Sequence, residues 1–418
     1  MIKPDIFKKT YDSGFKAQII LRPQFKQHFF GIIIDFGSSD EQELPGLAHF
    51  LEHKLFAKKD GDISTKFEEL GASVNAFTSF NETMFYCSGI KNTIPLIELL
   101  FNLVGQPYFT KENVAKEVPI IQQELAMYQD EPDWNLGDNL MRQMFGNSNL
   151  AIDVAGTQES IAATNSEILT NIYEKNYIAP KMSFVACGDF SDNQIKTIFQ
   201  KVNQLQSKYF QNGKVTVEKP LKLKKETNEI ALVSGGSISL FSLGIALPNF
   251  KKVLASQDTA QILLEIMLES KLGPTSFWFQ EMRAQKHLNN PLQITVTYTR
   301  QGDFATIFGM SKESEMVIKS IKKELSSDSI LNDNNQVDMQ QFFELQKKTW
   351  LAQSIRSLDD ISDLAVEMAE ESLDGEDLFE NVANMQTLDY EKYRFYCLEL
   401  LRDAKFYSAR TIDEKEEK

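Results

Sequence analysis

Apolar positions follow two rhythms along this chain, and the switches between them mark out its elements. Residues 28–36 carry Phe29, Phe30, Ile32, Ile33 and Ile34 almost without a break, and residues 238–247 repeat the pattern with Leu240, Phe241, Leu243 and Ile245. Short runs rich in β-branched and aromatic side chains read as strands. Behind the breakers Pro45 and Gly46 the rhythm changes, with Leu47, Phe50, Leu51 and Leu55 at helical spacing. That segment is expected to be a helix.

A longer succession then occurs twice. Residues 84–90 read as a strand leading through a polar turn into a helix over 95–104, and residues 305–310 lead likewise into a helix over 315–325. Helical stretches over 114–128 and 339–355 follow in each case. The offset of roughly 220–227 residues reads as an internal repeat. Aligning Asp133 with Asp360 sets Leu351 opposite Glu124. The expected fold class is α+β: two homologous domains, each a mostly antiparallel sheet with helices packed on one face. The Lys-rich polar passage around Pro220 reads as a linker. The expected boundaries are a first domain over 1–212, a linker over 213–226 and a second domain over 227–418. A chain of 418 residues suits two such cores better than one.

Composition narrows the class. Apolar content of 42% and charged content of 25% are those of a soluble globular protein. No apolar run approaches the ~18–20 residues of a membrane span. The first residues lack the apolar core of a signal peptide. A formal net charge of −15 argues against a nucleic-acid partner, which needs a basic face. Cys87, Cys187 and Cys397 are odd in number, far apart and set among apolar or small residues. Buried free thiols in a reducing cytoplasm are the expectation.

The chemistry concentrates in His49-Phe50-Leu51-Glu52-His53. The chain has only 4 His, and two of them stand here. On a helix, residues three and four apart share a face, ~5–6 Å between Cβ atoms. His49 and His53 can therefore grip one ion while Glu52 leans over it, which supplies the ligands and the base of a hydrolytic zinc site. At frequencies of ~0.01 for His and ~0.08 for Glu, chance gives about 0.003 such matches in the chain. Glu117 and Glu124, seven apart and about two turns along one helix face, offer further carboxylates. Pro119 stands between them and predicts a kink that threatens the placement of Glu117 more than that of Glu124. The other candidates carry less. His28 and His287 read as structural or surface residues, Phe277-Trp278-Phe279 as core, and Gly235-Gly236 lacks the pattern of a phosphate loop.

His-x-x-Glu-His, followed some seventy residues later by the paired glutamates, resembles the inverted zinc peptidases of the pitrilysin, insulinase and mitochondrial-processing-peptidase family. The flanks are similar too: Gly37-Ser38-Ser39-Asp40-Glu41 ahead of the motif, and Gly71-Ala72-Ser73-Val74-Asn75-Ala76-Phe77-Thr78 after it. The resemblance covers most of residues 30–190 and is closest to the small two-domain bacterial members. It implies Zn2+ on His49, His53 and Glu124, Glu52 as general base on the ion's water, Glu117 as supporting carboxylate, and two homologous α+β domains closing like a clam. It further implies a substrate-holding Arg and Tyr seven apart in the second domain. Here Arg283 fits the first position, Asn290 stands at the second, and Tyr298 is a nearby substitute.

The expected function is zinc-dependent endopeptidase action on peptides or unfolded segments. The strand with Asn75 and Ala76 would pair with an extended substrate by edge addition. An incomplete clamp implies a zinc-less sister subunit in a heterodimer, with a homodimer as the other arrangement. Two alternatives differ in class: a non-catalytic or weakly active binding subunit of a heterodimeric peptidase, and a dedicated maturation protease for one secreted peptide. The intact Glu52 speaks against the first, because a structural ion needs no base.

Overall fold

The computed structural model describes residues 3–129, 131–215, 230–233, 239–254, 256–326 and 336–412. The expected linker lies outside them from residue 216 onward, as does Gly235-Gly236. The chain gathers into two compact units. The first is Met1–Ala126, Asp153–Glu218 and Gln353–Glu380; the second is Met127–Ile152, Lys219–Ala352 and Asn381–Lys418.

The first unit is built on β1 (Ile6–Thr10), β2 (Lys16–Leu21), β3 (His28–Ile34), β6 (Ala72–Thr78), β7 (Thr83–Gly89) and β8 (Met182–Gly188), in the order β1-β2-β8-β3-β7-β6. A small ribbon of β4 (Ala57–Lys58) and β5 (Gly61–Asp62) stands apart. Every neighbouring pair in the large sheet is antiparallel except β2 with β8. Around it lie α1 (Leu47–Phe56), α2 (Ser64–Glu69), α3 (Thr93–Gly105) and α4 (Lys111–Gln129).

Strands β3 and β8 are buried almost end to end, as strands covered on both faces are. The register shows what covers each face. Phe184 of β8 sits beside Ala17 and Ile32 and packs on Phe101 of α3. The alternate residues Lys16 and Gln18 point the other way, where their side chains donate to the carbonyls of Ser372 and Met368 at 2.8 and 2.6 Å. The second face is therefore closed by the helix Ile361–Asp374, from far along the sequence.

The second unit repeats this plan. Its strands are β9 (Ile230–Val233), β10 (Ser239–Ala246), β11 (Gln293–Thr297), β12 (Phe304–Ser311) and β13 (Lys405–Ile412), in the order β11-β12-β10-β13-β9. This matches β6-β7-β3-β8-β2 strand for strand, down to the single parallel pair, β9 with β13. Phe241, Leu243 and Ile245 of β10 enter a core with Leu263, Leu264 and Met267 from the helix Gln257–Leu272. On the opposite face, α5 (Pro132–Phe145) lies against β10 and β13. It comes close because position 244 is glycine: a Cβ there would collide with the sulfur of Met144 and touch Leu140. Each sheet thus takes the cover for its second face from the other half of the sequence. The fold is α+β with two homologous domains.

Candidate metal centre

Helix α1 is held at its start by residues outside it. Gly46 precedes it at φ 87°, and a side chain there would run into the carbonyl of Ala155. The Ala48 N–H, an orphan donor of the first turn, goes to the side-chain oxygen of Gln42 at 3.2 Å. The loop before it is pinned to the β6–β7 turn: Ser38 and Ser39 N–H groups donate to the carbonyls of Ser79 and Phe80. Leu47, Ala48, Phe50, Leu51, Lys54 and Leu55 face the core, which turns His49, Glu52 and His53 together to the partly open side.

His49 and His53 rings lie 4.6 Å apart. Helix α4 brings Glu124 to both, with Oε1 at 3.9 Å from His49 Nε2 and Oε2 at 3.5 Å from His53 Nε2. These three are the one group of His, Cys, Asp or Glu among the described residues whose ligand atoms converge closely enough for an ion. Four ligands at ~2.0–2.2 Å around zinc stand about 3.4 Å from one another, so the donors fit with small adjustments. His49 supports the fit. Its Nδ1 is buried without a partner, and its Nε2 is too far from Glu124 for a hydrogen bond. Burial, with the neighbouring His53, lowers its pKa to about 4 against the pull of Glu117. A buried imidazole with Nδ1 unmatched costs about 1–3 kcal/mol, and the neutral ring is the form that binds metal.

Glu117 takes a different part. Its Oε1 lies 3.3 Å from His53 Nδ1 and its Oε2 3.1 Å from Lys54 Nζ. Burial raises its pKa, but these two partners bring it below the usual carboxylate value. A carboxylate behind a ligand imidazole fixes the tautomer and the ring direction. The expected disturbance at Pro119 does not displace it: α4 runs from Lys111 to Gln129 with the proline inside, and Glu117, two residues before it, still reaches α1. Proline removes its own N–H bond to the preceding turn, and the packing of Val114, Ile121 and Leu125 holds the helix across that gap.

Glu52 accepts a 2.7 Å hydrogen bond at Oε2 from Thr78 Oγ1, at the end of β6. Burial raises its pKa; Thr78 and His53 pull it down, Glu124 pushes it up, and the net direction is upward. For His53, burial lowers the pKa, but the bond to Glu117 and the charges of Glu52, Glu117 and Glu124 outweigh it. The site is thus rich in negative charge and suited to a cation.

Asn75 and Ala76 lie on β6, the edge strand beside the site, and the Ala76 N–H donates to the Asn75 side chain at 2.9 Å. Arg283 belongs to the second unit. It is exposed near the end of the helix Phe277–Ala284. Tyr298 is already engaged, its hydroxyl donating to Asp258 Oδ1 at 2.6 Å. Trp278 and Phe279 are core as expected, but Phe277 is 81% exposed. Thr78 from β6 and Lys54 from α1 complete the surroundings of the site. The sequence did signal Lys54: a lysine three residues after Leu51 and seven after Leu47 stands in the apolar stripe.

Residues 20–158 match the sequence model of the insulinase family, peptidase family M16. That third of the chain is similar to this family. The uncharacterized zinc protease YmfH of Bacillus subtilis (strain 168) is 28% identical over 347 residues, covering 78% of this chain and 80% of that one. The uncharacterized zinc protease YmxG of the same strain is 29% identical over 243 residues, 55% of this chain and 58% of that one. Among solved structures, an M16-like peptidase from Alicyclobacillus acidocaldarius superposes with a TM-score of 0.82 at 22% identity, covering 99% of both chains. A peptidase M16 inactive domain from Pseudomonas fluorescens gives 0.81 at 15% identity over 97% of both. The likeness to these two structures is one of fold and does not by itself decide activity.

Proposed function

We propose that this chain is a zinc metalloendopeptidase that hydrolyses peptides or unfolded segments. One observation carries the reading: α1 and α4 converge His49, His53 and Glu124 on one point while Thr78 holds Glu52 on the same face. A zinc ion held by those three residues would polarise a carbonyl and lower the pKa of water toward ~7. The protein's own groups do the rest. Thr78 occupies Oε2 of Glu52, so Oε1 takes a proton from the attacking water and returns it to the departing amine. A carboxylate with a raised pKa suits a group that must both accept and release a proton. Edge strand β6 offers main-chain pairing to an extended peptide, for which the Asn75 side chain must first release the Ala76 N–H.

The test is zinc content and peptide cleavage together. Wild type should hold about one zinc per chain and cleave an unstructured peptide; a preparation that takes up no zinc refutes the reading. A zinc-less sister subunit is part of the proposal, because Asn290 replaces the clamp tyrosine and Tyr298 is bound to Asp258. Holding the substrate against the site supplies much of the rate, so added sister chain should raise activity strongly. Full activity from the chain alone, as monomer or homodimer, would remove that part only. The three free cysteines are all buried, which suits the cytoplasm we assign. Among the described residues no helix is long and apolar enough to cross a membrane.

A further inference from the structure

The residue after His53 is a lysine in a place where lysines are rarely found. Lys54 lies on the core stripe of α1 and is 3% exposed. Lysine is almost never buried so deeply unless paired, because its ammonium gives up hydration worth several kcal/mol. Its partner is the carboxylate of Glu117, which meets Lys54 with one oxygen and His53 with the other. A single side chain from α4 therefore ties down two successive residues of α1.

We propose that Lys54 is a positioning residue of the metal centre: it fixes the Glu117 carboxylate so that His53 is held at Nδ1 with Nε2 turned toward Glu124. The proposal rests on the zinc reading above. Glu117 arrives on a flexible three-bond side chain, and its head is only 15% exposed. With His53 alone it would swing about one hydrogen bond and leave its second oxygen unmatched. Lys54 supplies the second donor, and with both oxygens held neither the carboxylate plane nor the ring can turn freely. Charge agrees: Glu52, Glu117 and Glu124 oppose the two charges of a zinc ion, and Lys54 brings the third.

Two opposed effects make the idea decidable. If Lys54 were merely a nearby positive charge, removing it would relieve repulsion and tighten zinc binding. If it holds Glu117, removing it must weaken zinc binding, typically by ~10–100-fold for a lost outer partner. Competition with a chromophoric chelator gives the zinc Kd of wild type, Lys54→Met, Glu117→Gln and the double variant, with thermal melts to report folding. The expected result is at least ~10-fold weaker binding for Lys54→Met, and a double variant with the same zinc Kd as Glu117→Gln alone. The double variant removes both charges together, so it decides the matter even where Lys54→Met, left with a lone Glu117 charge, fails to fold. Unchanged or tighter binding in Lys54→Met, or a double variant clearly weaker or clearly tighter than Glu117→Gln, overturns the positioning role while the zinc reading stands. A wild type that binds no zinc overturns both.

Discussion

In the first unit, the helix that follows central strand β3 turns His49, Glu52 and His53 to its open side; in the second, the helix Gln257–Leu272 that follows β10 carries Gln261, Glu265 and Glu269 at four-residue intervals. Both helices bury an apolar stripe against sheets of the same order and strand sense. The open faces differ in kind. Burial raises the pKa of Glu265, against a hydrogen bond from Gln261, and also that of Glu269. Without imidazoles beside them, those carboxylates hold protons more readily than an ion. One scaffold has been kept twice, and metal competence rests on a few side chains that the scaffold does not require.

The largest expected effect breaks the comparison at its chemical end. Glu52→Gln should keep zinc and lose peptide cleavage by at least ~10²-fold, whereas His53→Ala should lose zinc as well. Parallel zinc analysis and cleavage assays check this, and an active Glu52→Gln enzyme would misassign the base. On the scaffold side, Gly244→Ala forces a methyl between β10 and α5 and should cost about 1–3 kcal/mol. Denaturant melts should show the loss while zinc content stays at the wild-type level. A smaller effect is expected at Thr78. Removing its hydroxyl in Thr78→Val should lower kcat about tenfold, roughly 1.4 kcal/mol, with zinc affinity unchanged. Thr78→Ser should restore the rate, and equal rates for all three proteins would show that the bond to Glu52 is idle.

The smallest expected effect concerns pH and belongs to the second unit. Burial raises the Asp303 pKa to about 6, despite Lys251 and the Thr299 N–H. The folded state then binds a proton more tightly than the unfolded chain. The resulting stability is full below the unfolded value of ~3.9 and is lost as pH rises through about 6. Asp303→Asn should therefore gain on the order of 1 kcal/mol relative to wild type at pH 8 and little at pH 4. Melts at the two pH values check the sign.

The repeat and the site were legible for the same reason: both are local. Strand 84–90, helix 95–104 and the stretch 114–128 emerge as β7, α3 and α4, and their counterparts emerge as β12, the helix Ser314–Glu324 and the helix Gln336–Ser357. His49, Glu52 and His53 share a face because helix geometry dictates it. The exchange of α5 and Ile361–Asp374 was not legible, because an amphipathic helix does not say which of two similar sheets it covers. A trace was present in β3, whose unbroken Phe29–Phe30 and Ile32–Ile34 runs are those of a strand buried on both faces. Nor did spacing reveal that Glu117 would reach Lys54 as well as His53. That contact depends on how α4 packs on α1.

The contrast between the units is tested most directly by diffraction from crystals grown with zinc and measured at the zinc absorption edge. One anomalous peak is expected, bounded by His49 Nε2, His53 Nε2 and the Glu124 carboxylate, with no peak on the helix Gln257–Leu272. No peak at those three residues, or a stronger one at Glu265 and Glu269, would contradict the assignment of the metal to the first unit.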